Sequence, residues 1–170
     1  QALVRARVVA GDERINDRFQ AIRRAVLSEK RDPGQLQGEV VDMREKMRSS
    51  LDRSDQKTFD LKQGRGGIVD IEFMVQYTVL RWAHDYPDLL VWSDNIRLLE
   101  TLSKLGLLDD HAAERMMGIY KVLRAAYHRS ALQDLPALVE SEKLSEERAL
   151  VQDIWSCLMQ NKKTERAMFQ

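Results

Sequence analysis

Several things are scarce in this chain, and each scarcity removes a class of answer. There is one cysteine, Cys157, in 170 residues, so no internal disulfide can form. No Cys/His cluster has the spacing of a zinc site. The cytoplasm is the compartment such cysteine usage suits. Only three prolines and eight glycines interrupt a charge-rich sequence, a composition that favours helix throughout. Charge of one sign is missing: 27 basic residues are balanced by 27 acidic ones, which argues against a nucleic-acid binder with its basic excess or stripe. No apolar run reaches bilayer length and no signal peptide is visible, so no membrane partner is expected. There is no internal repeat and no low-complexity segment. The length suffices for one domain with a real core. Gln1, not Met, opens the chain, which makes a piece of a longer polypeptide the expectation.

What is present is concentrated in Phe59 to Phe73, FDLKQGRGGIVDIEF. Phe59 and Leu61 alternate with polar residues, as in a short extended segment. Gly64, Gly66 and Gly67 permit backbone angles and close approaches that a Cβ forbids. From Val69 to Ala83, ten of fifteen residues are apolar and lie on nearly every side, which predicts a buried central helix. At about 22 Å it is too short to span a bilayer. Asp70 and Glu72 sit in its first turns. A bare buried carboxylate is very costly, so each needs a partner, and Lys62 and Arg65 just upstream are candidate counter-ions. Two readings of the stretch are open. In the first it is a structural knot, with glycines turning the chain and charges paired internally. In the second it is a phosphate-facing loop, with amide donors at a helix start and Lys62 as a point charge. It is neither a Walker motif nor a dinucleotide fingerprint, since no Gly-Lys-Ser/Thr follows and no βαβ unit surrounds it.

The rest of the chain reads as helices. Ala2 to Ala10 is helical in character and Gly11 ends it. Asp12 can cap a second helix whose Ile15, Phe19, Ile22 and Val26 share one face. Arg18, Arg23 and Arg24 lie off that stripe and read first as a solvated face. Arg31-Asp32-Pro33-Gly34 is a break. A third helix runs from about Gln35 to Arg53 with the stripe Leu36, Val40, Met43, Met47 and Leu51, its methionines reading as core filler. Arg44 and Arg48 share another of its faces. Local pairing with neighbouring Asp and Glu is their first reading; the alternative is that one of them meets Asp70 or Glu72 across the core. Pro87 should stop the central helix near Asp85 or Tyr86. Ser93-Asp94-Asn95 caps a helix through Lys104 with Ile96, Leu99, Leu102 and Leu105 inward, closed by Gly106. Asp109 or Asp110 caps a long helix to about Gln133 with Ala113, Met116, Tyr120, Leu123 and Tyr127 on its face. Arg124 and His128 adjoin that face, and His128 reads first as a structural hydrogen-bonder. Leu135-Pro136 is a break, and Ser145 starts a last helix with Leu150, Val151, Ile154, Trp155 and Leu158 on its apolar side. Met168 and Phe169, in the polar tail 161–170, could dock. The sum is an all-α bundle of six to seven helices with one glycine-rich loop before a buried central helix.

KQGRGGIVDIEF resembles the Lys-x-Gly-x-Gly-Gly-Ile-x-Asp-Ile-Glu-Phe signature of glutamine synthetase adenylyltransferase, a bifunctional bacterial enzyme that attaches AMP to a tyrosine of glutamine synthetase and also removes it. ALVRARVVAGD, EVVDMREKMR and WSDNIRLLETL are similar to its C-terminal, adenylylating half, so the resemblance covers residue 1 to about 158. It implies a helical domain, 1–160, appended to a nucleotidyltransferase domain lying upstream of this chain. ATP and magnesium would serve the parent enzyme, with none bound by the helical domain and no metal site in it. The carboxylate pair that holds divalent metal in such transfers, an Asp-x-Asp strand after a Gly-Ser motif, is not in this sequence. The chain is therefore expected not to catalyse alone. The resemblance marks the positions without assigning each a task; Lys62, Gly64, Arg65, Gly66 and Gly67 are the candidates to face nucleotide phosphates across the domain interface. Asp70, Glu72, Arg44 and Arg48 would be supporting charges, the two carboxylates orienting Lys62 or Arg65. The partners implied are the upstream domain, glutamine synthetase and the signal protein PII. Two other roles remain: a receiver for PII or glutamine without a catalytic part, and a structural spacer. The uridylyltransferase that modifies PII has a similar Lys-x-Gly-x-Gly-Gly signature, but the WSDN and VRARVV segments favour the adenylyltransferase.

Overall fold

The computed structural model describes residues 1–160. Helix α1 (Ala2–Arg5) leads into α2 (Glu13–Leu27) and α3 (Pro33–Leu51). A short strand β1 (Thr58–Asp60) precedes α4 (Ile68–Trp82), and a single 3-10 turn over Pro87–Leu90 leads to α5 (Asn95–Lys104). The chain closes with α6 (Asp110–Leu132), strand β2 (Leu138–Glu140) and α7 (Ser145–Gln160). This is the expected all-α bundle, with seven helices among the described residues. Its one sheet is two strands, paired antiparallel with Phe59 opposite Val139. Met168 and Phe169 lie outside the described residues.

The bundle is built around α4, which touches α1, α3, α5, α6 and α7. Eleven of its fifteen residues are buried, and that all-round burial follows from its nearly all-round apolarity. The expected caps operate: carboxylates of Asp12, Asp94 and Asp109 accept from Arg14, Arg97 and Ala112 amides. Gly106, at φ +68°, closes α5. The inward face of α6 is Ala113, Met116, Tyr120 and Leu123, as its spacing predicts.

The N-terminal third departs from the sequence expectations. Helix α1 stops at Arg5 instead of reaching Ala10, and Ala6 is extended. The reason is an arginine. Arg23, only 3% exposed, donates to the carbonyls of Leu3 and Val4 at 2.9 and 3.0 Å, which a longer helix would have needed for its own amides. Arg23 is thus not part of a solvated face, and the apolar stripe of α2 is turned outward. In α3, Leu36 and Val40 are buried but Met43 and Leu51 are about half exposed, so Met43 is not core filler. The buried positions along that helix continue with Arg44 and Arg48. Helix α4 ends at Trp82, earlier than Pro87 requires, and a loosened turn carries the Tyr86 amide to the Trp82 carbonyl.

Candidate functional site

The glycine-rich stretch folds into a loop that closes on itself. The side chain of Asp60, at the end of β1, accepts from the amides of Lys62 and Gln63 at 2.8 and 2.9 Å. The Gly64 amide donates to the Asp60 carbonyl, Gly67 to Gly64, Ile68 to Leu61, Val69 to Lys62 and Asp70 to Gly67. The Gly66 amide donates to Asp70 Oδ2 at 2.7 Å. The amides that open α4 are therefore spent inside the loop.

Each glycine answers a steric demand. At Gly64 a Cβ would lie 2.7 Å from the Asp60 carbonyl oxygen and run into the Phe59 ring. At Gly66, φ is +81° and a Cβ would sit 2.6 Å from the Arg148 carbonyl oxygen. At Gly67 it would come within 2.9 Å of two loop carbonyls. The loop is thus packed on α7, where the Arg148 guanidinium also lies 3.8 Å above the Phe59 ring. Burial lowers the pKa of that guanidinium from its ordinary value.

Beneath the loop is a buried ionic knot. Arg44 Nε and Arg48 Nη2 both donate to Asp70 Oδ1, at 2.6 and 2.7 Å. Arg44 also donates to the Gln63 carbonyl at 2.7 Å and faces Gln63 Oε1 at 3.3 Å. The Arg44 side chain is 0% exposed and that of Asp70 is 3%. Burial lowers the Arg44 pKa and the Asp70 charge opposes that shift; the guanidinium stays protonated. Arg48 reaches Glu45 as well, so the local pairing and the cross-core pairing coexist. Both arginines, not one, reach Asp70.

The second carboxylate is held differently. Glu72 Oε1 accepts from Arg5 Nη1 at 2.6 Å and from the Tyr120 hydroxyl at 3.1 Å. Asn95 Nδ2 donates to the same hydroxyl at 2.7 Å. Burial is the main cause raising the Tyr120 pKa, and the Glu72 charge adds to it. Neither Lys62 nor Arg65 is therefore the counter-ion of Asp70 or Glu72. Lys62 is exposed, its Nζ 5.7 Å from the Tyr127 ring centre. Arg65 is exposed and pairs with Glu45 at 3.2 Å. His128 is exposed beside Tyr127.

Residues that sequence reasoning did not bring to the site are Arg5, Gln63, Tyr120 and Arg148. Gln63 lies inside the motif, and its neighbours Lys62 and Gly64 were its only signal. Arg5, Tyr120 and Arg148 come from three other helices with no spacing to betray them. Among the described residues no group of three or more His, Cys, Asp or Glu could hold a metal ion. None of the described helices is long and apolar enough to cross a membrane.

Comparison with known proteins places this geometry in context. A family model described as GlnD PII-uridylyltransferase matches residues 41–165. A bifunctional glutamine synthetase adenylyltransferase/adenylyl-removing enzyme of Hahella chejuensis is 51% identical over 160 residues, 91% of this chain and 17% of that protein. One of the same name from Nitrosococcus oceani is 51% identical over 161 residues, 95% of this chain and 17% of the relative. The chain spans about a sixth of the length of these relatives. A match to 95% of the chain omits fewer than ten residues, so it includes at least thirty of the first forty, which the family model leaves uncovered.

Proposed function

The chain belongs to the GlnD PII-uridylyltransferase family, and from that premise we propose that it is the helical part of an adenylyltransferase that moves AMP from ATP to a tyrosine of glutamine synthetase. The relatives that share half its residues are named as glutamine synthetase adenylyltransferases/adenylyl-removing enzymes. In this reading ATP and magnesium are held by a nucleotidyltransferase domain on the same polypeptide. Among the described residues no carboxylate cluster fits the metal.

One observation carries the role of the glycine-rich stretch. Its amides are spent internally and its carboxylate is buried under two arginines, so Lys62 and Arg65 are the charged groups it presents outward. A cation carried on a loop whose backbone is already held can meet a phosphate without the loop refolding, and preorganisation of that kind helps to stabilise charge developing on a leaving pyrophosphate. Arg44, Arg48 and Asp70 would act on the loop's shape, and Gly64, Gly66 and Gly67 on its packing. Glu72 would fix the α1 segment through Arg5.

The test is Lys62→Ala in a polypeptide carrying both domains. The expected result is a fall in AMP transfer of roughly 100-fold, the size of losing one preorganised donor, with the thermal midpoint unchanged because the side chain is exposed. Partial rescue by Lys62→Arg would mark a charge requirement. Unchanged transfer in Lys62→Ala removes the phosphate role and leaves the stretch as a structural knot.

A further inference from the structure

Cations around the glycine-rich loop are held in two ways. Most lie against a carboxylate: Arg44 and Arg48 on Asp70, Arg5 on Glu72, Arg65 on Glu45. Two lie against rings instead. Lys62 Nζ is 5.7 Å from the centre of the Tyr127 ring, and the Arg124 guanidinium is 5.8 Å from that of Tyr120. Both distances fall inside the roughly 6 Å reach of a cation–π contact. Among the described residues neither cation has a carboxylate at ion-pair distance. A ring restrains a cation without neutralising it, so both charges stay available to an anion, whereas Arg65 is already answered by Glu45. The two rings share one face of α6. At about 100° per residue, Tyr120, Arg124 and Tyr127 fall within roughly 60° of one another, and the rings stand about 10 Å apart along the helix. The Tyr120 ring is itself fixed, because its hydroxyl accepts from Asn95 Nδ2 and donates to Glu72 Oε1. The helix around them is short of negative charge. From Arg115 to Leu132 it holds four arginines and lysines and no Asp or Glu. The helix dipole accounts for Arg129 in the last turn, but it falls off within that turn and leaves Lys121 and Arg124 unexplained.

We propose that Lys62 and Arg124 form one polyphosphate-binding site on the ridge between the glycine-rich loop and α6, with Tyr120 as the positioning residue for Arg124. The proposal rests on the function proposed above for the reading of Lys62, and it adds Arg124 and the class of ligand. Charge-assisted hydrogen bonds need contact at about 2.7–2.9 Å. Two cations seated about two helical turns apart therefore suit a chain of phosphates, while a single phosphate reaches one of them and not the other. The same placement gives Glu72 and Asn95 a task. They hold the Tyr120 hydroxyl from α4 and α5, and the ring so held is the seat of Arg124. Arg5 answers the Glu72 carboxylate, which leaves the Arg124 charge uncompensated.

Titration of the 170-residue chain with inorganic tripolyphosphate tests this, followed in its proton–nitrogen NMR spectrum, which also reports the fold. Saturable shifts centred on Lys62, Arg124 and Tyr127 are expected, with orthophosphate binding at least about tenfold more weakly. Lys62→Ala and Arg124→Gln should each weaken tripolyphosphate about tenfold, the size of one lost charged hydrogen bond, with the urea midpoint unchanged. Tyr120→Phe should weaken it about threefold, and should have no further effect once Arg124→Gln is present, a coupling that a loosened fold would not produce. Parental binding by Arg124→Gln overturns the proposal, as do equal affinities for orthophosphate and tripolyphosphate, or shifts that centre elsewhere. ATP carries the same chain of phosphates and should displace tripolyphosphate; failure to do so overturns a nucleotide as the source of the ligand. AMP transfer by a polypeptide carrying both domains separates this inference from the function it leans on. Tripolyphosphate binding with unchanged transfer in Lys62→Ala keeps the site and discards its part in the reaction. Lost transfer in Lys62→Ala beside parental binding by Arg124→Gln keeps Lys62 and discards Arg124.

Discussion

Two helices of this protein bury arginine, and they do it to opposite ends. In α3, Arg44 and Arg48 turn inward onto Asp70, and the groups of that knot are answered by the loop, by α4 or by Glu45 of α3, apart from Arg48 Nε. In α2, Arg23 turns inward onto backbone carbonyls and no carboxylate, while its isoleucines face water. The first arrangement is closed. A buried charge with a fixed counter-charge is a weak source of net stability, but it admits few alternative geometries. The second is open, because it settles one side of a helix and leaves the apolar stripe on the other exposed. The contrast separates a buried cluster whose charges answer one another from a helix anchored on one side with its apolar stripe exposed on the other.

The sharpest way to break the comparison is to remove the carboxylate the closed region depends on. Asp70→Ala leaves the buried Arg44 guanidinium without a counter-charge and Arg48 with Glu45 alone, and a loss of about 3–5 kcal/mol in urea unfolding is expected. A loss below about 1 kcal/mol, the ordinary size for a point mutant, would mean that Arg44 and Arg48 find other partners. Next is the loop itself. Gly66→Ala meets a positive φ and a Cβ placed 2.6 Å from the Arg148 carbonyl oxygen. Strain and clash together should cost roughly 2–3 kcal/mol, the left-handed conformation alone accounting for one to two. Gly118→Ala, mid-helix in α6 with nothing near its added Cβ, is the opposite control and should stabilise by about 0.5–1 kcal/mol.

How far the sequence could be read follows the same divide. Signals that act within a few residues were legible: the carboxylate caps at Asp12, Asp94 and Asp109, the Gly106 stop, and a helix after the glycines apolar enough to be central. The Arg44/Arg48 spacing allowed one of them to reach Asp70 or Glu72, though only as the second of two options, because a helix face does not say which neighbour it meets. Strand β2 was not legible. Three residues, Leu138–Glu140, carry too little alternation, and their pairing partner lies some eighty positions earlier. The direction of the α2 stripe was beyond sequence reasoning for a different reason. The periodicity of Ile15, Phe19, Ile22 and Val26 is correct, but periodicity names a face and not what covers it. The glycines were legible as necessary, while their cause, the backbone of Arg148 and the carbonyls of Asp60 and Leu61, required the fold.

The open region has its own anchor, and weakening it sharpens the comparison from the other side. Arg23→Met keeps the aliphatic bulk and removes the donors to Leu3, Val4, Leu90 and Trp92. Charged hydrogen bonds of this kind are worth about 1.5–3 kcal/mol, and several of these carbonyls can turn to water, so a net loss near 2 kcal/mol is expected. Fluorescence of Trp92, whose carbonyl is one of the four, should shift in the folded baseline. An unchanged baseline with full stability would mean that α2 holds its rotation without Arg23.

The smallest effect belongs to the link between the two regions, where Arg5 of α1 meets Glu72 of α4 over the Tyr120 hydroxyl. Burial raises the Tyr120 pKa above its ordinary value, so above about pH 10 the unfolded chain releases this proton while the folded one retains it. The folded state then holds more protons, and the contribution of this group to stability is full below that pH and is lost as pH climbs through the raised value. Tyr120→Phe cannot ionise. It should be less stable than the parent by about 1 kcal/mol at neutral pH, for the lost hydroxyl bonds, and should decline less steeply between pH 10 and 11 in urea unfolding. Parallel declines would mean that the hydroxyl titrates as it does in the unfolded chain, and that the seam joining the closed core to the N-terminal segment is wetter than its geometry.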